Sequence, residues 1–397
     1  MAVTLQMIRE ARERIKDAVY RSPCPYSLSL SRMCGCDVYC KLEHLQMTGS
    51  FKERGARNKL LLLDDRQKRC GVIAASAGNH ALGVAYHGQL LGIPVTVVMP
   101  RWAPLIKVAN CRGFGAEVIV QGESFDEART IAMEMMAERG LTYVAGFDDE
   151  AIIAGQGTVG LEIMEDVPEV DAVLVPVGGG GLIAGIGTAV KAIRKRTQVI
   201  GVEPEHAPTL QRSLEHGSVV RAATTVTLAD GLAVAEAGAL CVEAALKVVD
   251  RMVLVDEVPL ATAVLRLLEM EKMVVEGAGA APLAALMGKK LGLEGKKVVL
   301  VLSGGNIDVT VISRIIERGL AVDGRLARIV VGISDRPGSL AQLLTVIAQT
   351  GASIKEVSHD RNFGPADVAR VSVSCIIETR DFGHIKEVRA ALARAGI

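Results

Sequence analysis

Short apolar runs separated by segments of helical periodicity fill most of the chain. Val72–Ala75, Val95–Met99, Ala116–Val120, Ala172–Val177, Val199–Glu203 and Val298–Leu302 are brief and rich in β-branched residues, which predicts strands buried on both faces. Between them, His80–Leu91 and Ser124–Arg139 repeat apolar positions at helical spacing. Strands alternating with helices predict an α/β fold with parallel sheets flanked by helices. In such sheets ligands bind beyond the carboxyl ends of the strands, and the unusual motifs of this chain are expected at those places.

Both ends read differently. Ile8, Ala11, Ile15 and Val19 recur at helical spacing and predict a helix packed on the body of the protein. Arg9, Arg12, Arg14 and Lys16 lie on the same stretch, but Glu10, Glu13 and Asp17 argue against a transit peptide, which is poor in acids. Near the other end, Leu326–Ile333 alternates as a strand, Asp335–Leu340 turns, and Leu340–Gln349 reads as an amphipathic helix. Strands near Ser353–Ser358 and Ala369–Glu378 and a helix over Asp381–Ala395 complete a β-α-β-β-α order.

Composition narrows the function classes. A chain of 397 residues has room for two or three domains. Lys+Arg and Asp+Glu balance at 45 each, so no global charge calls for nucleic acid or an acidic membrane surface. No stretch is apolar enough to span a bilayer. Cys34, Cys36, Cys40 and His44 cluster, yet their spacing matches no zinc pattern, and Cys40 lies on an alternating run that turns neighbours to opposite faces. Free thiols without a secretory segment point to a reducing cytoplasm.

Four segments carry chemistry. After Val173–Val177 the run Gly178-Gly179-Gly180-Gly181 turns into a helix beginning at Leu182, where backbone N–H groups can crowd round a phosphate dianion. No Gly-Lys-Ser/Thr follows, so it is not a Walker loop, and a merely tight turn would use the same residues. Lys52 follows Phe51 and sits between Gly49 and Gly55, and an amine there can form an imine with an aldehyde cofactor and later act as a base at Cα. Ser76-Ala77-Gly78-Asn79-His80 offers donors at a helix start. Ser303 in Ser303-Gly304-Gly305-Asn306 supplies a hydroxyl, which at a pyridine nitrogen makes a milder electron sink than a carboxylate would.

In this order, the four segments resemble the threonine/serine dehydratase family of fold-type II pyridoxal phosphate (PLP) enzymes, with a tryptophan synthase β-like fold. The resemblance implies a two-lobed PLP-binding catalytic domain over residues 1–320, its smaller lobe about 45–145. Lys52 then carries the Schiff base and is the catalytic residue. Phe51, Asn79, Gly178 to Gly181, Leu182 and Ser303 bind the cofactor, Asn79 at its ring oxygen. Ser76, Ala77, Gly78, Asn79 and His80, with Asp230 and Gly231, face the substrate, and Glu276-Gly-Ala-Gly-Ala280 resembles a further active-site loop. Glu203 and Ala207 match two positions of a cation site, although Thr209 stands where the family has an aspartate.

The implied reaction is dehydration and deamination of L-threonine to 2-oxobutanoate and ammonia, and of L-serine to pyruvate. Serine racemases place a second serine where this chain has Ala77, and alanine exchanges no proton, which favours elimination. A racemase, a 3-hydroxyaspartate ammonia-lyase and a non-catalytic amino-acid sensor stay open as alternatives. Residues 326–397, with Asp335-Arg-Pro-Gly-Ser-Leu340 at the first turn, resemble an ACT domain, a small ferredoxin-like α+β unit, here without its last strand. That implies an amino-acid or nucleotide effector and a homodimer or homotetramer.

Overall fold

The computed structural model describes residues 3–288, 291–361 and 369–397. It divides into two compact units, residues 1–307 and 308–397.

The first unit holds two parallel sheets. One has five strands in the order Asp37–Lys41, Lys297–Val301, Ala172–Pro176, Gln198–Pro204 and Arg251–Val255. The other has four, Glu117–Val120, Val95–Met99, Val72–Ala75 and Thr142–Tyr143, again all parallel. Every residue of Val72–Ala75, Val95–Met99 and Ala172–Pro176 is buried, as continuous apolar runs require when helices cover both faces of a sheet. The six expected strands form within one or two residues of their bounds. Arg251–Val255 and Thr142–Tyr143 were not expected, being a partly exposed edge strand and a strand of only two residues. Ile8, Ala11, Ile15 and Val19 are all buried, as their spacing predicts.

One helix fixes the geometry of the unit. Glu150–Asp166 packs between the helix Lys52–Leu61 and the helix Gly181–Ile193, and it does so through glycines. A Cβ on Gly155 would overlap the backbone of Arg54 and Gly55, and one on Gly157 would press on Ile8 and Gly185. The two helices that begin with Lys52 and Gly181 are thus clamped at backbone contact to a common third helix. Gly155→Ala would force them apart at a cost of about 1–3 kcal/mol.

In the second unit, Leu326–Ser334, Arg370–Glu378 and Ser353–Asp360 form an antiparallel sheet in that order. Ile329, Ile333, Leu343, Ile347, Val373 and Val388 build its core with the helices Ser339–Gln349 and Phe382–Arg394. The β-α-β-β-α order is present, and the helix Val309–Val322 precedes it within the same unit. Residues 362–368 of the expected small domain lie outside the described residues.

Candidate active site

Three of the four motifs directly follow parallel strands: Ser76 after Val72–Ala75, Gly178 after Ala172–Pro176, and Ser303 after Lys297–Val301. The Lys52 motif departs from this expectation. A 3₁₀ turn, Glu43–Leu45, and a loop separate it from the strand Asp37–Lys41. It reaches the site by pairing, because Ser50 bridges Gly304 and the Phe51 N–H donates to the Ser303 carbonyl at 3.0 Å.

Lys52 opens its helix, and its amine donates to the Gly146 carbonyl at 2.7 Å and lies 5.2 Å from the centre of the Phe51 ring. Burial pulls its pKa down to about 8, with Cys241 and Glu276 working weakly the other way. The buried Cys241 thiol sits beside Lys52 with its Sγ 3.5 Å from the Phe147 carbonyl, and burial pushes its own pKa up.

The glycine run turns into Gly181–Ile193 through Gly180, whose φ of +95° favours glycine. Among the described residues no side chain caps this helix. Phe147 packs where Cβ atoms on Gly179 and Gly181 would go, and Cys241 where one on Gly180 would go, so only glycine fits there. Leu182 has its side chain in the core of the larger sheet, leaving its backbone N–H as the group that can serve a ligand. The helix Asn79–Leu91 is likewise uncapped, and Gly78 faces open space.

Several other helices do have a side-chain acceptor at their start, although Leu105–Gly113 and Ser339–Gln349 do not. Leu5–Ile15, Phe125–Arg139 and Glu150–Asp166 are capped by Thr4, Ser124 and Asp149, and even Ala239–Val248 gets its acceptor from afar, Asp148 taking the Leu240 N–H at 2.9 Å. Helix-start N–H groups without a partner are available to an anion.

Asn79 lies in a tight polar cluster. Its amide nitrogen donates to Glu276 Oε1 at 2.8 Å, and its oxygen accepts from Asn306 Nδ2 at 2.8 Å. Burial raises the Glu276 pKa to about 7, helped by Asp230 and opposed by Lys107, Asn79 and Asn306. Ser303 is buried beside this cluster. The Ser76 hydroxyl accepts from the Gly78 N–H at 3.2 Å, which shapes the loop carrying Ala77.

His80 is turned away from an open role. Its ring bonds the Val144 carbonyl at 2.9 Å, and burial, with Lys52 adding to it, lowers its pKa to about 4, so it stays neutral. Asp230 is exposed and lies 3.6 Å from Lys107, which comes from the other sheet's side of the unit, while the Gly231 carbonyl packs against Gly178. Glu203 and Ala207 are both buried. Glu203 caps the helix Thr209–His216, accepting from Leu210 and Gln211 N–H groups at 2.7 and 3.0 Å, and Thr209 donates to the Val234 carbonyl. Burial raises the Glu203 pKa to about 8.

The segment Gly146-Phe147-Asp148 was missed in the sequence. It has no motif of its own, and only the fold shows that it holds Lys52, backs the glycine turn and caps a helix at once.

These residues fit PLP. The cofactor needs a buried amine, a phosphate seat and donors for its ring, and Lys52, the uncapped Gly180–Gly181 turn, Asn79 and Ser303 offer them in one place. Residues 15–304 match the family described as pyridoxal-phosphate dependent enzyme. The L-threonine ammonia-lyase of Thermotoga maritima is 46% identical over 394 residues, covering 99% of this chain and 98% of that one. Maize serine racemase superposes with a TM-score of 0.76 at 35% identity, covering 81% of this chain and 99% of that one. The processed threonine deaminase isoform 2 of Solanum lycopersicum gives 0.75 at 36%, covering 79% and 94%. A match over most of the chain and near half identity along its full length leave one conclusion: this chain belongs to the pyridoxal-phosphate dependent enzymes of fold-type II.

Proposed function

We propose that the chain is a threonine ammonia-lyase, converting L-threonine to 2-oxobutanoate and ammonia, with L-serine as a second substrate. The observation that carries the reading is the Lys52 amine, buried, held by one carbonyl and poised near neutrality beside two uncapped helix starts. When bound, PLP supplies an aldehyde for the substrate amine and a ring that takes up the electron pair released at Cα.

The protein's own residues do the rest. N–H groups of Gly178 to Leu182 would hold the phosphate, Asn79 and Ser303 would orient the ring, and Phe51 would pack against it. Main-chain donors at Gly78 to His80 hold the substrate carboxylate, and Ser76 keeps that loop in shape. Lys52 Nζ, with its proton affinity lowered by burial, takes the Cα proton, and loss of the β-hydroxyl follows. Ala77 offers no group to return a proton to the opposite face, which separates this site from a racemase. The segment 326–397 is assigned as an ACT-like effector domain and the assembly as a homodimer or homotetramer. Among the described residues no helix is long and apolar enough to cross a membrane.

The test is an absorbance spectrum of the purified protein with PLP, then L-threonine with 2-oxobutanoate followed. A yellow protein releasing 2-oxobutanoate is the expected result. A yellow protein that releases none from threonine or serine would overturn the substrate assignment.

A further inference from the structure

The amide of Asn79 is oriented by a chain of constraints that starts at a backbone atom. The Thr48 carbonyl can only accept, so the Asn306 group facing it at 2.8 Å is its nitrogen. That same nitrogen donates to Asn79, which must therefore present its oxygen, at 2.8 Å. The other end of the Asn79 amide is then nitrogen, and it donates one hydrogen to Glu276 Oε1. One N–H of Asn79 is left over.

Glycines make the arrangement possible. A Cβ on Gly304 would overlap Glu276 Oε1, and one on Gly49, whose φ is +75°, would overlap the Asn306 amide. Glu276 also breaks a local rule. It occupies the N-cap of the helix Gly277–Met287 and is almost fully buried, yet makes no side-chain cap there. Its carboxylate is spent on the Asn79 amide and the Asn306 main chain instead, and a local rule broken in a buried place marks function more often than stability.

We infer that Glu276 is the positioning residue for Asn79: with Asn306 it fixes the direction of the Asn79 amide and aims its remaining N–H at the cofactor ring. The inference rests on the PLP reading of the site. The charged groups facing Glu276 are Asp230, Lys107 and Lys52, so its proton responds to the ion pair at the rim of the site and to the amine within it.

The experiment measures PLP affinity by equilibrium dialysis and the absorbance of the bound cofactor from pH 6 to 8. Parent, Glu276→Ala, Glu276→Gln and Asn306→Asp proteins are compared. Glu276→Ala removes the acceptor and should weaken PLP by about tenfold or more while changing the spectrum. Glu276→Gln keeps an acceptor oxygen and loses the titrating proton. It should hold PLP within about threefold of the parent and lose the parent's spectral change near pH 7. Asn306→Asp reverses the polarity at the Asn79 oxygen and should resemble Glu276→Ala, which keeps the test alive if the alanine variant does not fold. A parent-like Glu276→Ala, or a Glu276→Gln as impaired as the alanine variant, would overturn the inference. A parent that binds no PLP would instead sink the cofactor reading on which it rests.

Discussion

Lys52 and Arg54 lie two residues apart on one helix, Arg54 fully buried and Lys52 half-buried with its amine desolvated, yet the protein handles the two cations in opposite ways. Arg54 reaches Glu43 at 2.7 and 2.8 Å and Glu162 at 2.7 and 2.8 Å, with Thr158 at 3.0 Å. Lys41, itself fully buried, adds a second cation at 2.7 Å from Glu162. Among the described residues the Lys52 amine has a single hydrogen-bond partner, a backbone carbonyl. Burying an ion costs several kcal/mol unless it is paired. Arg54 meets that cost with two carboxylates that push its pKa up, whereas Lys52 meets it by giving up proton affinity, down to about 8. One site is built to keep a charge and the other to let go of one.

The largest effect should come from the amine. Lys52→Ala is expected to lower turnover by about a thousandfold or more, since the proposed mechanism makes this amine both the covalent anchor and the base. Its melting temperature should stay close to the parent's, because no partner charge is orphaned. A variant that unfolds would mean that Lys52 is structural like its neighbour.

Arg54→Met should invert this pattern. It leaves Glu43 with the Ser22 hydroxyl and the Gln46 amide and Glu162 with Lys41, a loss of about 3–5 kcal/mol readable in urea unfolding. Arg54→Lys should fall between, as a single ammonium cannot grip two carboxylates in bidentate fashion. A parent-like urea midpoint for Arg54→Met would show that the network contributes nothing to stability.

The same contrast explains what the sequence disclosed. Lys52, the Gly178–Gly181 run, Asn79 and Ser303 were legible because each sits in a short segment whose local geometry and chemistry coincide. The strands around them were legible because burial on both faces leaves continuous apolar runs. Arg54 was not legible. Lys-Glu-Arg at a helix start reads as a solvated turn, yet Glu53 and Arg54 are buried because helices from distant parts of the chain close over them. Glu276 and Asn306 stood inside recognised segments, but their mutual roles need three loops to meet. Gly146–Asp148 carries no pattern at all. What sequence could not supply, in each case, was pairing across separations of about 90 residues or more.

A smaller effect is expected on the face of the substrate away from Lys52. Ala77→Ser would place a hydroxyl where this chain has none, on the loop shaped by Ser76 and Gly78. D-serine should become detectable from L-serine by chiral chromatography while elimination continues. Absence of any D-isomer would remove Ala77 from the account of why elimination wins.

The smallest effect compares the two cations by pH, on protein free of cofactor. Lys52 titrates near 8 when folded, against 10.5 for the ordinary group, so between these values the unfolded chain binds more protons. Stability from this residue therefore rises with pH across that window, at no more than about 1.4 kcal/mol per unit. Buried thiols such as Cys241, held protonated in the fold, pull the other way above their ordinary pKa of 9.0, so the total slope hides the lysine. The difference between parent and Lys52→Met isolates it. That difference should grow from pH 8 to 10.5, while Arg54→Met, which removes a group charged throughout the window, should give a pH-independent offset. Equal slopes in parent and Lys52→Met would mean that the Lys52 amine keeps its ordinary proton affinity, and the contrast with Arg54 would then be one of partners alone.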